Sequence, residues 1–98
     1  MPSYIAIVHK DSDSCYGVQF PDVPGAFSAG DTIDEAVANA AEAIAFAAGD
    51  WEELQGRPFP MARSIDQLRT DPAFNEAAEG GMLLIVPFDP PLRRVAAE

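Results

Sequence analysis

The chain has 98 residues, of which 48% are apolar and 22% charged, and it carries a net charge of −10. That length holds one domain with a modest core, and the apolar fraction excludes a disordered chain. Residues 1–56 contain ten acids against Lys10 alone, whereas residues 57–98 contain six acids against five arginines. An acidic N-terminal half repels a phosphate backbone and attracts a basic protein, and the same charge also keeps a small protein in solution.

The N-terminus has no basic segment and turns charged at Lys10, so it does not read as a signal peptide. Residues 3–9 are β-branched and aromatic and read as a strand, with Tyr4, Ala6 and Val8 on one face and Ile5, Ile7 and His9 on the other. Residues 10–14 form a polar turn, and Cys15 to Phe20 read as a second strand, so the pair is a hairpin. Cys15 is the single cysteine and cannot form an internal disulfide, which points to a reducing cytoplasm.

Pro21-Asp22-Val23-Pro24-Gly25 ends the second strand, because two prolines remove two N–H donors. Pro24-Gly25 fits a type II turn, and Asp22 is placed to cap a local N–H. Residues 26–30 form a short third strand whose free edge could pair across a two-fold axis.

Thr32 as N-cap and Glu35 three residues on make a capping box, with Asp31 and Asp34 at the positive end of the helix dipole. The spacing predicts a helix over 33–48, with Ile33, Val37, Ala40 or Ala41, Ile44 and Ala48 inward. Eight of the thirteen residues from Ala36 to Ala48 are alanine, which favours helix and close packing on a sheet. Gly49 ends the helix or weakens it before Trp51 and Leu54, and Gly56 is the next cap.

Arg57-Pro58-Phe59-Pro60 reads as a rigid linker. Ser64 to Gln67 is a second capping box, and Asp71-Pro72 an N-cap with proline at the first helical position. Gly80-Gly81 precede Met82 to Val86, an apolar run expected in the sheet centre or buried on both faces. With Pro87 the run reaches six residues, far short of the roughly 20 of a membrane span. The order is β-β-β-α-(α)-β, an α+β fold with one four-stranded sheet and helices on one side of it.

Tyr16 to Gly25 followed by Phe27 to Ala36 resembles the N-terminal domain of the HicB antitoxins. The shared pattern is Phe20-Pro21-Asp22, then Pro24-Gly25, then Gly30-Asp31-Thr32 with Glu35-Ala36 opening an alanine-rich helix. Pro58 to Pro60, Ser64 and the strand over 83–86 sit where that family has them, so the resemblance spans about residues 3–88. It implies a partial RNase H-like arrangement with the last strand beside the first. It implies an antitoxin that neutralises a small basic ribonuclease, a HicA-type toxin, by covering its catalytic face. It divides the chain into a toxin-binding domain over 1–90 and, over 91–98, a tail or the start of a C-terminal DNA-binding module. Ala26 stands where the family often has cysteine. Two arginines, Arg93 and Arg94, do not make a DNA-binding surface at net −10, so these residues are not expected to bind DNA.

The motif residues Phe20, Pro21, Pro24, Gly25, Gly30, Asp31, Thr32 and Glu35 read as structural, because their chemistry is turn formation and helix capping. Candidates for toxin contact are Asp11 and Asp13 at the hairpin tip, Asp22, and Asp50, Trp51, Glu52 and Glu53 beyond the long helix. A Trp rimmed by carboxylates suits a basic partner, and it equally serves as core over the helix end. Asp22, Asp31, Asp34 and Glu35 do not read as a two-metal nuclease cluster, since capping explains three of them. His9 and Cys15 form no nucleophilic arrangement without a third orienting residue. The expectation is a non-enzymatic antitoxin with no cofactor or metal, a basic toxin partner and a homo-oligomeric state. The alternative is an orphan oligomerisation module on the same fold.

Overall fold

The computed structural model describes residues 2–10 and 15–89. Five consecutive residues, Tyr4 to Val8, are buried in strand β1 (Ser3–Lys10). They are buried because β1 pairs on both sides within a four-stranded antiparallel sheet whose two faces are both covered at this strand. Strands β2 (Tyr16–Gln19) and β3 (Phe27–Gly30) lie to one side of it, and the last strand, Met82–Pro87, here β4, pairs on the other. The order is therefore β3-β2-β1-β4, and the register runs from Ser3↔Pro87 to Val8↔Met82 on the β4 side. The α+β architecture with the last strand beside the first agrees with the expectation.

The long helix α1 (Ile33–Gly49) covers one face of the sheet. Its buried row is Ala36, Ala40, Ile44 and Ala48, an i, i+4 row against Tyr4, Ala6, Val8 and Val18. The sequence pattern pointed to Val37, which instead sits on the flank at 37% exposure. The difference follows from how close the helix lies. A Cβ at Gly30 would stand 2.6 Å from the backbone nitrogen of Ala36, so glycine there lets the small row of α1 seat against β3.

Helix ends follow the local chemistry. Thr32 Oγ1 accepts from the Glu35 N–H at 3.1 Å, while the Glu35 carboxylate reaches one residue further back than a standard box, to the Asp31 N–H at 2.7 Å. Gly49 ends α1, and a short helix α2 (Trp51–Gln55) follows, closed by Gly56 at φ 72°. Helix α3 (Ile65–Leu68) opens on a complete Ser64–Gln67 capping box, and α4 (Pro72–Ala78) opens on Asp71 with proline in its first turn. Gly25 at φ 95° and the Ala26 N–H donating to the Val23 carbonyl close the Pro24-Gly25 turn.

Two expectations are corrected here. The sheet is not covered on one side only, because Leu68 of α3 and Phe74 of α4 bury Ile5 and Ile7 on the opposite face. The Met82–Val86 run is not central but an edge strand, with Met82, Leu83 and Ile85 at 50%, 39% and 65% exposure. A continuous apolar run fits a centre or an edge equally well, since β1 takes the central place by pairing on both sides.

A candidate protein-interaction groove

The Pro21–Gly25 loop is held from a distance. Asp22 is buried, and its carboxylate accepts two hydrogen bonds from one residue 41 positions on: Arg63 N–H at 2.8 Å and Arg63 Nε at 2.6 Å. The other arm of the Arg63 guanidinium reaches Asp71 at 3.1 Å, and Asp71 in turn caps α4 through the Ala73 N–H at 3.0 Å. One arginine thus ties the loop after β2 to the start of α4. Its hydrogen bond with Asp22 raises the Arg63 pKa further, and the same guanidinium holds the Asp71 carboxyl below its ordinary value. Asp22 therefore caps no local N–H as expected from the sequence. Its partner is the one the sequence concealed.

Next to this closed corner is an aromatic cluster. Tyr4, Trp51, Phe59 and Phe88 meet edge to face with centroids 5.5 to 6.2 Å apart. Tyr4 Oη donates to the Pro60 carbonyl at 2.6 Å, which fixes the 57–60 linker on the core. Burial, together with the Asp22 charge, pushes the Tyr4 hydroxyl pKa up. Trp51 is 5% exposed and so serves the core, and the Arg57 guanidinium lies over its ring at 5.9 Å.

Between the outer edge of β3 and the helices α1 and α2 runs an open groove of about 660 Å³. The 24–29 segment forms one wall. The other is built from Asn39, Glu42, Ala43, Phe46 and Ala47 of α1, with Trp51, Leu54 and Gln55 beyond. Of its large apolar side chains, Phe46 and Leu54 are largely in solvent, at 83% and 76% exposure, while Phe27, at 67%, falls in register with Ile7 and Gln19 on the opposite face of the sheet. Every lining residue lies in 24–55, a stretch with seven acids and no base. Asn39 Nδ2 donates to the Ala29 carbonyl at 2.7 Å, so that carbonyl points away from β2.

The sequence-predicted contact residues separate in space. Asp50, Glu52 and Glu53 are exposed at the α1–α2 junction next to the groove, while Asp22 and Trp51 are turned inward. Asp11 and Asp13 lie outside the described residues. Of the motif residues, Phe20 is core, Pro24-Gly25 and Gly30 shape backbone, and Thr32 and Glu35 cap α1. Phe27, Phe46, Leu54 and Arg63 were missed. Phe46 carried a readable signal, since it falls two residues past Ile44 and so off the buried row. His9 contacts neither Cys15 nor a carboxylate among the described residues' hydrogen bonds, but donates through Nε2 to the Ala77 carbonyl at 2.8 Å. Among the described residues, no three His, Cys, Asp or Glu side chains gather where they could hold a metal ion. No described helix is long and apolar enough to cross a membrane.

Comparison with known proteins gives a consistent picture. Residues 4–95 match the family model described as the HicB-like antitoxin of bacterial toxin–antitoxin systems. An uncharacterized 14.9 kDa protein of Haemophilus phage HP1, from the rep-hol intergenic region, is 42% identical over 77 residues. That match covers 74% of this chain and 53% of the phage protein, so the chain spans about half the length of that relative. The crystal structure of the N-terminal domain of the Burkholderia pseudomallei antitoxin HicB superposes with a TM-score of 0.70 at 33% identity, over 89% of this chain and 98% of that one. A chain of the HicA3 and HicB3 toxin–antitoxin complex does so with a TM-score of 0.67 at 31% identity, over 90% and 99%.

Proposed function

The chain belongs to the HicB-like antitoxin family of bacterial toxin–antitoxin systems, and on that premise we propose that it binds and neutralises a small, basic HicA-type ribonuclease in the cytoplasm. The observation that carries this reading is its likeness, over 90% of its length, to a chain of a toxin–antitoxin complex. The physical setting supports it. A surface with seven acids and no base in 24–55 attracts a basic protein and speeds its encounter. Neutralisation then needs no chemistry by this chain: a bound antitoxin that lies over the catalytic face of the toxin excludes RNA. Covering that face with carboxylates adds repulsion of the phosphate backbone.

Self-association is part of the proposal, with the subunit count to be read by native mass spectrometry. The 1–90 portion is proposed as the toxin-binding domain. DNA binding is not assigned to it.

The test is to add the purified chain to a HicA-type toxin, the product of a neighbouring gene where one is present, and follow cleavage of RNA. Cleavage should stop at a stoichiometric ratio, and native mass spectrometry should give the subunit count. Undiminished cleavage, with a homo-oligomer as the sole species, would move the assignment to an oligomerisation module without a toxin.

A further inference from the structure

Building on the antitoxin reading, we propose that the groove beside β3 receives an extended, basic segment of the toxin, which pairs with the open edge of β3 as a fifth strand of the sheet. Backbone alternation supplies the first reason. The Ala29 carbonyl points away from β2 and is already held by Asn39, while Phe27, two residues earlier, also turns its N–H and C=O outward, so the edge offers the Phe27 pair and the Ala29 N–H. An edge of this kind recruits extended peptides through main-chain bonds, with neighbouring pockets reading alternate side chains.

The walls supply the second reason. Phe46 and Leu54 are each more than two-thirds exposed and share one groove, which leaves apolar surface of the sort that marks a protein contact.

Charge selects the occupant. With seven acids and no base in the segment that builds the groove, and Glu42 in its wall, a basic strand is drawn in. A second copy of this chain, at net −10, would instead set like charge against like across a two-fold axis.

The experiment uses the whole chain and a catalytically inactivated HicA-type toxin, with affinity from calorimetry and backbone exchange by mass spectrometry. If the unaltered chain binds no toxin, the antitoxin reading fails and the groove assignment falls with it. If it binds, the amides of Phe27 and Ala29 should become protected in the complex. Phe46→Lys, at an exposed position, should weaken binding by about 10-fold or more, as for loss of a desolvated apolar anchor. Ile85→Lys, on the distant β4 edge, should leave affinity within about 2-fold, as for a rim position. Unchanged exchange at Phe27 and Ala29 overturns strand pairing, whatever the variants do. Full affinity in Phe46→Lys, or loss of affinity in Ile85→Lys alone, overturns the groove while leaving the antitoxin reading in place. The exchange measurement is made on the unaltered chain and therefore decides even if a variant folds poorly.

Discussion

Around Arg63, the carboxylates of Asp22 and Asp71 are taken up by one guanidinium inside the fold, whereas along α1 and α2 Glu42, Asp50 and Glu53 face solvent beside exposed Phe46 and Leu54. Both regions hold acids next to apolar surface. In the first, the apolar surface is closed: Leu68 is fully buried and Phe74 is 3% exposed. In the second it is left in water. Net charge alone does not separate the two, because an acid with an internal cation stabilises the fold, and an acid without one contributes to the field that a partner meets.

The contrast predicts that variants of the closed region change stability and those of the open region change association. Leu68→Ala should cost the most, about 3 kcal/mol by urea unfolding, since it leaves a void under Ile5 and Ile7. Asp22→Asn should cost about 2 kcal/mol, because it breaks the buried pair and weakens acceptance from the Arg63 N–H. Half-exposed Arg63 can recover water, which keeps the loss below that of a fully buried pair. In Leu68→Ala, which lies away from the groove, toxin affinity measured where the protein is still folded should be unchanged.

Acidification acts on the same corner. The Asp71 carboxyl lies below its ordinary 3.8 in the fold, so its contribution is present above that value and is lost as pH falls through the lower folded one. The unfolding midpoint should therefore drop more steeply in the unaltered chain than in Asp71→Asn between about pH 5 and about pH 3. The smallest stability effect belongs to the open side. The triple replacement Glu42→Gln, Asp50→Asn, Glu53→Gln should stay within about 0.5 kcal/mol of the parent in unfolding. Its association rate with the toxin should nevertheless fall several-fold at low salt, with the gap closing as ionic strength rises. An unchanged rate would show that the exposed acids do not steer encounter.

What the sequence made legible was local. The Ser64–Gln67 box, the Asp71-Pro72 helix start and the Pro24-Gly25 turn depend on residues within three positions of each other, and each is present. The α1 row is legible at Ala40, Ile44 and Ala48 but not near its start, where Ala36 rather than Val37 turns inward, because alanine on most sides of the helix leaves the apolar stripe poorly defined until Gly30 sets the contact. The Asp22–Arg63 bond was invisible, since partners 41 residues apart leave no spacing pattern. The groove was half visible. Asp50 and Glu53 were picked out beside Trp51, but the indole turns inward, and the exposed apolar members are Phe46 and Leu54.

The place of β1 between β2 and β4 has a consequence for how the protein is made. Ser3 pairs with Pro87, so the strand synthesised first receives its second neighbour from the last one described. On a ribosome, the β1–β2–β3 portion and α1 can form early, but the other margin of β1 stays unpaired until about residue 87 has emerged. Completion of the sheet therefore waits for the last described strand, and a chain interrupted before that point keeps a bare central strand open to chaperones and proteases.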